Sequence, residues 1–211
     1  ALLSEAGVRF VVPGDKYEQQ DFTAYIDDLE YGGDPDYTVD FAKERELMLP
    51  MGHCEITQFT RLKGSSFLEE NVLHLTAEDY GEVYTGSHLF KNYTVKTVLE
   101  PLCGDGHFVN VRVQGGLRSY AVGFGLKERL GLWKNEHGYR ELISVPYKWK
   151  YGECYALIVV VKDHIITVKD GEGKELIRYA DEEHPYLSGA VGFSVREAGH
   201  LAVHRLEVRP V

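Results

Sequence analysis

The sequence predicts an all-β fold, an antiparallel two-sheet sandwich, and three features of the chain carry that expectation. The dominant period of its apolar pattern is two, as strands with one buried and one solvated face require. Glycines number 22 and recur between the alternating runs, where tight turns need positive φ. Helical windows are scarce: residues 41–48 (FAKERELM) are the best, about two turns long and without an extended apolar stripe. The 14 Tyr and 9 Phe strengthen the preference for strands.

Residues 8–12 and 23–30 read as two strands separated by Pro13, Gly14 and Asp15. Residues 26–31 echo the end of the chain at 204–208, and Gly32-Gly33-Asp34-Pro35 resembles a linker. Residues 1–33 are therefore assigned to the exit strands of a preceding β domain plus a linker, and residues 34–211 to the sandwich module. The alternative is that both early strands pair into the same sandwich. From Tyr37 to Arg209 roughly a dozen short strands follow. Residues 93–100 alternate until Pro101 stops them. Residues 107–114 alternate again, with Val109, Val111 and Val113 on one side and Asn110, Arg112 and Gln114 on the other. The nearly continuous apolar run 154–162 predicts a strand buried on both faces. Residues 164–170 and 175–179 form a hairpin across Gly171-Glu172-Gly173. Residues 190–196 and 201–209 close the chain as two strands around a turn at Ala198-Gly199.

Composition excludes several functions. A formal charge of −10 repels phosphate backbones, so no nucleic-acid partner is expected. No apolar run reaches about 18 residues, so no membrane span is expected. The N-terminus shows no charged segment followed by an apolar core, so no signal peptide is visible, and the cytoplasm is expected on the cysteine usage that follows. Cys54, Cys103 and Cys154 are odd in number and about fifty residues apart, which is no disulfide framework. They read as small buried hydrophobes in a reducing compartment, with one bridge plus one free thiol as the alternative.

Catalytic motifs are absent. There is no Gly-x-Ser-x-Gly elbow and no phosphate loop; Gly123 and Gly125 read as strand glycines near a bend. Of nine histidines, His200 and His204 alone stand four apart, and on a strand that places them about 13 Å from each other, too far to share one ion. The acidic runs Glu69-Glu70, Glu78-Asp79 and Asp181-Glu182-Glu183 fall on loops and read as solvated charge, not as the facing carboxylates of a glycosidase. Asp34-Pro35-Asp36 begins like a calcium loop, but Val39 stands where that loop needs glycine. A structural calcium held by scattered loop carboxylates and carbonyls stays open.

The richest stretch runs from Asn110 to Tyr139. A sugar site needs aromatic faces for C–H surfaces and planar Arg, Asn and Gln groups for hydroxyls. Consecutive strands supply both kinds. The candidate ligand-binding residues are Tyr84, Asn110, Arg112, Gln114, Arg118, Tyr120, Lys134, Asn135 and Tyr139, with Tyr80 adding a second stacking surface. The alternative is a wet sheet face whose aromatic ladders only stabilise strand pairing.

At these residues a resemblance emerges. The runs 82–86 (EVYTG), 91–95 (KNYTV), 112–124 (RVQGGLRSYAVGF), 132–139 (LWKNEHGY) and 185–193 (PYLSGAVGF) resemble a C-terminal β module of bacterial ADP-ribosylglycohydrolase-family proteins. More distantly, the chain is similar to concanavalin/laminin-G-like jelly rolls, including the fructan-binding modules of levanases and the 3-keto-disaccharide hydrolase-type domain. The resemblance covers residue 34 to the end. It implies a non-catalytic, carbohydrate-binding accessory module of a larger hydrolase-type protein. Its partners would be a carbohydrate or sugar-containing ligand and the other domains of the parent. The catalytic unit of that family is helical and holds magnesium through acidic motifs, and this chain carries neither. The competing expectation is a structural module that orients or dimerises a separate catalytic domain.

Overall fold

The computed structural model describes residues 35–48, 54–125 and 128–211; the strands assigned to 1–33 lie outside the described residues. Among the described residues there are fifteen strands and no helix: β1 (Tyr37–Val39), β2 (Glu46–Met48), β3 (Cys54–Ile56), β4 (Thr60–Lys63), β5 (Ser65–Glu69), β6 (Val72–Thr76), β7 (Tyr80–Thr85), β8 (Tyr93–Val113), β9 (Arg118–Gly125), β10 (Arg129–Glu136), β11 (Tyr139–Pro146), β12 (Tyr155–Lys162), β13 (Ile165–Asp170), β14 (Glu175–Ala180) and β15 (Ala190–Pro210). The segment 41–48, the best helical window, is a turn at 41–43 followed by β2. Its physical reason is local. Asp40 accepts a hydrogen bond from the Ala42 N–H, and Phe41 buries against Phe59 at 6.2 Å instead of feeding an apolar stripe.

Two antiparallel layers share β8 and β15, each 21 residues long. The first layer runs β4-β7-β15-β8-β9-β10-β11 and uses the second half of β8 and the first half of β15. The second runs β14-β13-β12-β8-β15-β6-β5, with β1 beside the end of β15, and uses the other halves. Hydrogen bonding is continuous through the two bent strands, so thirteen strands form one connected network, while β2 and β3 pair separately. This is the sandwich the sequence predicts, but each pair of strands expected at 93–100 and 107–114, and at 190–196 and 201–209, is one long strand. Pro101 does not end β8. Pairing with β12 stops at Leu99, so the missing proline N–H falls where one side of β8 is already unpaired. The bend needs glycine. At Gly104 φ is +78°, and a Cβ would stand 2.3 Å from the Ala198 carbonyl oxygen.

The core lies between the layers. Val83, Val109, Val122, Leu132 and Phe193 enter it from the first layer, and Leu73, Leu99, Val159, Leu201 and Leu206 from the second. The strand expected to be buried on both faces, β12, is buried on one: Leu157, Val159 and Val161 point in, while Ala156 is exposed and Ile158 and Val160 are half-buried. Among the described residues, no helix covers the outer face of this layer as helices cover a parallel sheet. Among the described residues, no helix is long and apolar enough to cross a membrane.

Candidate functional site

Cross-strand partners share a face, so the register defines the outer surface of the first layer. Tyr84, Gly192, Asn110, Ala121 and Trp133 form one row across β7, β15, β8, β9 and β10. Asn110 lies on that face as the alternation predicts. Arg112 does not. Between Ala190 and Gly192 of β15, β8 spends an extra residue, and Arg112 adopts φ +55°. Such a bulge re-aims a side chain. Arg112 turns inward, 1% exposed, with its guanidinium 5.8 Å from the Tyr93 ring centroid. Its Nη2 donates to Asn92 Oδ1 and the Asp163 carbonyl, both at 3.3 Å; Nε and Nη1 have no partner among the described residues. Gly189 permits this path, because a Cβ there would stand 2.2 Å from the Arg112 carbonyl carbon.

Tyr120 and Lys134 pair across β9 and β10 on the core side, not the outer side. Lys134 Nζ meets Asp181 Oδ2 at 2.7 Å and also donates to the carbonyls of Glu183 and His184. The Tyr120 hydroxyl donates to the same carboxylate oxygen at 2.5 Å and accepts from the Tyr186 N–H. Burial raises the Asp181 pKa, but the hydrogen bonds from Lys134 and Tyr120 outweigh it and leave the carboxyl below its usual range. Asp181 is thus a buried partner, not the solvated loop charge expected of it. Arg112, Tyr120 and Lys134 each hold a residue of the sandwich edge, Arg112 holding Asn92 and Asp163, and Tyr120 and Lys134 holding Asp181. At that edge is a cavity of about 610 Å³, lined in part by Lys91, Asn92, Asp163, Asp181 and Ser188.

The outer face of the first layer carries a different arrangement. Tyr139, at the start of β11, reaches back over the sheet so that its hydroxyl accepts from Asn110 Nδ2 at 3.1 Å. Asn110 in turn accepts from Ser194 Oγ at 2.7 Å. The Phe108 ring packs 4.8 Å from Trp133 and 6.3 Å from Tyr139. Gly131 makes room for this layer, since a Cβ there would stand 2.4 Å from the Trp133 ring. Tyr80 lies 6.1 Å from Tyr139, and the Arg196 guanidinium sits 5.2 Å over the Tyr139 ring. Tyr80, Tyr139, Asn135, Arg196, Asp79 and Glu197 line a groove of about 450 Å³. It adjoins a smaller recess of about 180 Å³ at Trp133, which shares Arg196 and Glu197. Glu197 and Ala198 both hold positive φ, at 48° and 58°, fixed by hydrogen bonds from their N–H groups to the carbonyls of Asp79 and Glu78. Left-handed backbone at non-glycine residues is costly and gathers at functional sites.

Glu82 stands opposite Ser194 on this face, fully buried, and neither carboxylate oxygen has a partner among the described residues. Burial pushes its pKa up to about 8, so the group is mostly protonated at neutral pH. Its proximity also opposes ionisation of Tyr139, whose pKa is raised first by burial and then by Glu82.

The nine candidate residues therefore divide. Asn135 and Tyr139 line the groove, and Asn110 is fully buried beneath it on the Tyr139 hydroxyl; Asn135 also fixes the loop by donating to the Gly116 carbonyl and accepting from the Gly138 N–H. Tyr84 shares the face but packs on His88 at 5.7 Å. Gln114 and Arg118 are exposed at the β8–β9 turn, with Gln114 Nε2 donating to the Ser188 carbonyl. The sequence reading missed Arg196, Glu197, Asp79 and Glu82. Alternation in 190–196 already puts Arg196 on the same face as Gly192 and Ser194; what it lacks is that β15 lies between β7 and β8.

All three cysteines are free, and none is a buried hydrophobe: Cys54 is half-buried, Cys103 and Cys154 exposed. Among the described residues, one set of three metal-capable side chains converges, Glu100, Cys154 and His204, with donor atoms within 4.8 Å of one another. It lies on the second layer, away from the groove.

No protein-family model matches the chain, and no curated protein matches its sequence. Solved structures do match in fold. The carbohydrate-binding module CBM66 of Bacillus subtilis aligns with a TM-score of 0.65 at 11% identity, covering 72% of this chain and 96% of that one. The calcium- and mannose-bound exoplasmic/lumenal domain of VIP36 aligns with a TM-score of 0.57 at 13% identity, covering 78% and 87%. A Bacillus subtilis protein of unknown function with a galectin-like fold aligns at 0.56 and 10%, covering 72% and 89%. At these identities the likeness establishes the architecture: the chain is an antiparallel jelly-roll sandwich.

Proposed function

We propose that this chain is a non-catalytic carbohydrate-binding module that seats a sugar in the groove on the outer face of its first layer. One observation carries the reading: Tyr80 and Tyr139, rings 6.1 Å apart, line one groove with Arg196, whose guanidinium lies over the Tyr139 ring, and with Asp79 and Glu197. Tyrosine faces suit the C–H side of a pyranose or furanose, and a planar fork of donors with nearby carboxylate acceptors suits vicinal hydroxyls. The fold supports it, because CBM66 is a carbohydrate-binding module and VIP36 is seen with mannose in structures that share this architecture. Arg112, Tyr120 and Lys134 serve the sandwich edge and are not assigned to the ligand. The motif resemblance adds a further proposal, that the module is an accessory part of a larger hydrolase-type protein in the cytoplasm.

The test is titration calorimetry against fructans, mannosides, galactosides and ADP-ribose, each with and without calcium, backed by melting curves. A ligand at a hundred times its Kd should stabilise the fold by about 2.7 kcal/mol. The expected result is a sugar hit that Arg196→Ala weakens at least tenfold without moving the unliganded melt. If Lys91→Ala abolishes the hit and Arg196→Ala leaves it intact, the site is the edge cavity and the groove assignment fails. A flat panel with an intact melt favours a module that orients or dimerises a separate domain.

A further inference from the structure

The outer face of the second layer carries three side chains of different chemistry from three segments: Glu100 on β8, His204 on β15, and Cys154 just before β12. A backbone irregularity lies at one of them. Leu201 and Val203 point into the core, so alternation sends His204 outward. The register then slips, with Val203 opposite Leu99 but Arg205 opposite Val98, so His204 is the extra residue of a bulge. His204 and Arg205 both face solvent before Leu206 re-enters the core. The bulge leaves His204 outward, where alternation places it, and turns Arg205 outward beside it. His204 Nε2 lies 2.6 Å from Glu100 Oε2, with Cys154 Sγ 4.0 Å from the same oxygen.

Those spacings are close to what a metal ion would impose. Zinc takes nitrogen and oxygen ligands at about 2.0–2.1 Å and sulfur at about 2.3 Å, which in a tetrahedron sets ligand–ligand edges of about 3.3–3.6 Å. The 2.6 Å contact must open and the 4.0 Å contact must close, each by less than about 1 Å, and the His204–Cys154 edge, within 4.8 Å, must draw in to the same range, in side chains that are at least partly solvent-accessible. Imidazole, thiolate and carboxylate together select a borderline cation over calcium or magnesium, which take oxygen ligands. Three protein ligands leave the fourth position to water, and the exposure of Cys154 supplies the entry path.

We propose that Glu100, Cys154 and His204 form a binding site for a borderline divalent cation of the zinc class, on the layer opposite the groove. The site is independent of the sugar reading. Binding joins three strand segments of the second layer, so it stabilises the native state by linkage, and it releases the thiol proton.

Cobalt(II) titration of the full chain tests it, followed by displacement with zinc. The expected result is one equivalent of cobalt giving a near-ultraviolet thiolate charge-transfer band. That band should vanish in Cys154→Ser and persist in Cys54→Ser and Cys103→Ser. Zinc affinity should fall at least tenfold in His204→Ala, with the metal-free melt of each variant confirming the fold. Absence of the band, its survival in Cys154→Ser, or zinc affinity unchanged in His204→Ala overturns the proposal. Zinc binding that is instead lost in His74→Ala also overturns it and places the ion at the His74–His200 pair, whose ring nitrogens are 2.9 Å apart.

Discussion

Lys134 and Glu82 are both charged residue types in a dry interior, and the structure treats them in opposite ways. Lys134 is fully partnered: Asp181 Oδ2 and the carbonyls of Glu183 and His184 surround its Nζ. Removing one member of a buried pair strands the other, which typically costs about 3–5 kcal/mol. Lys134→Met should therefore destabilise by about that amount in chemical denaturation, and Lys134→Met/Asp181→Asn by clearly less than the sum of the single changes. Additive costs would mean that the two groups do not stabilise each other. Glu82 has no such partner among the described residues and is mostly protonated at neutral pH. Its pKa is about 8 in the fold against 4.5 for an ordinary glutamate, so between those values the native state binds a proton that the unfolded chain lacks. Stability then falls as pH rises from about 4.5 to 8, by up to about 1.4 kcal/mol per unit, and levels off above. Glu82→Gln should remove that slope and be more stable than the parent near pH 8. Parallel melting profiles for the two proteins across this window would show that the carboxyl is already ionised.

At the scale of the strand, the decisive features are the bends and bulges of β8 and β15. Gly104→Ala should lower the melting temperature sharply, because the added Cβ meets the Ala198 carbonyl at 2.3 Å in a backbone with φ +78°. Gly173→Ala is the control: φ is +89° but nothing lies within 4 Å, so strain alone should cost about 1–2 kcal/mol. Equal losses would mean that the close approach of the two bent strands is not what Gly104 protects. These same features mark where sequence reading ran out. Period two placed the faces correctly at Asn110 and Val109 and located the hairpin β13–β14, while it overstated the burial of β12. It failed at Arg112, where one extra residue and a positive φ invert the face, and at Pro101 and Ala198-Gly199, which read as stops. Periodicity records which way successive side chains point; it holds no record of whether a strand bends and continues. The groove was half legible for a related reason. Tyr139 and Asn135 stood out by residue type, but Arg196 and Glu197 join them only through the order β7-β15-β8, in which β7 and β15 pair residues more than a hundred positions apart.

Across the whole molecule, the sharing of β8 and β15 ties stability to topology. Neither layer can lose its central strands without removing those of the other, so the sandwich should unfold as one unit. The two tryptophans report on this separately. Trp133 lies on the outer face of the first layer against Phe108. Trp149 is buried behind Phe124, donates its Nε1–H to the Gly125 carbonyl, and lies near the point where Phe124 meets Tyr155 of the second layer. Trp133→Phe and Trp149→Phe leave one reporter each. Their urea transitions, followed by fluorescence, should each coincide with loss of the far-ultraviolet circular dichroism of the same variant. An early transition of Trp133, ahead of the loss of strand signal, would show that the groove face loosens before the core. In that case sugar binding at the groove would steepen the Trp133 transition and bring it back into register with the rest, since a ligand stabilises most the region whose opening destroys its site.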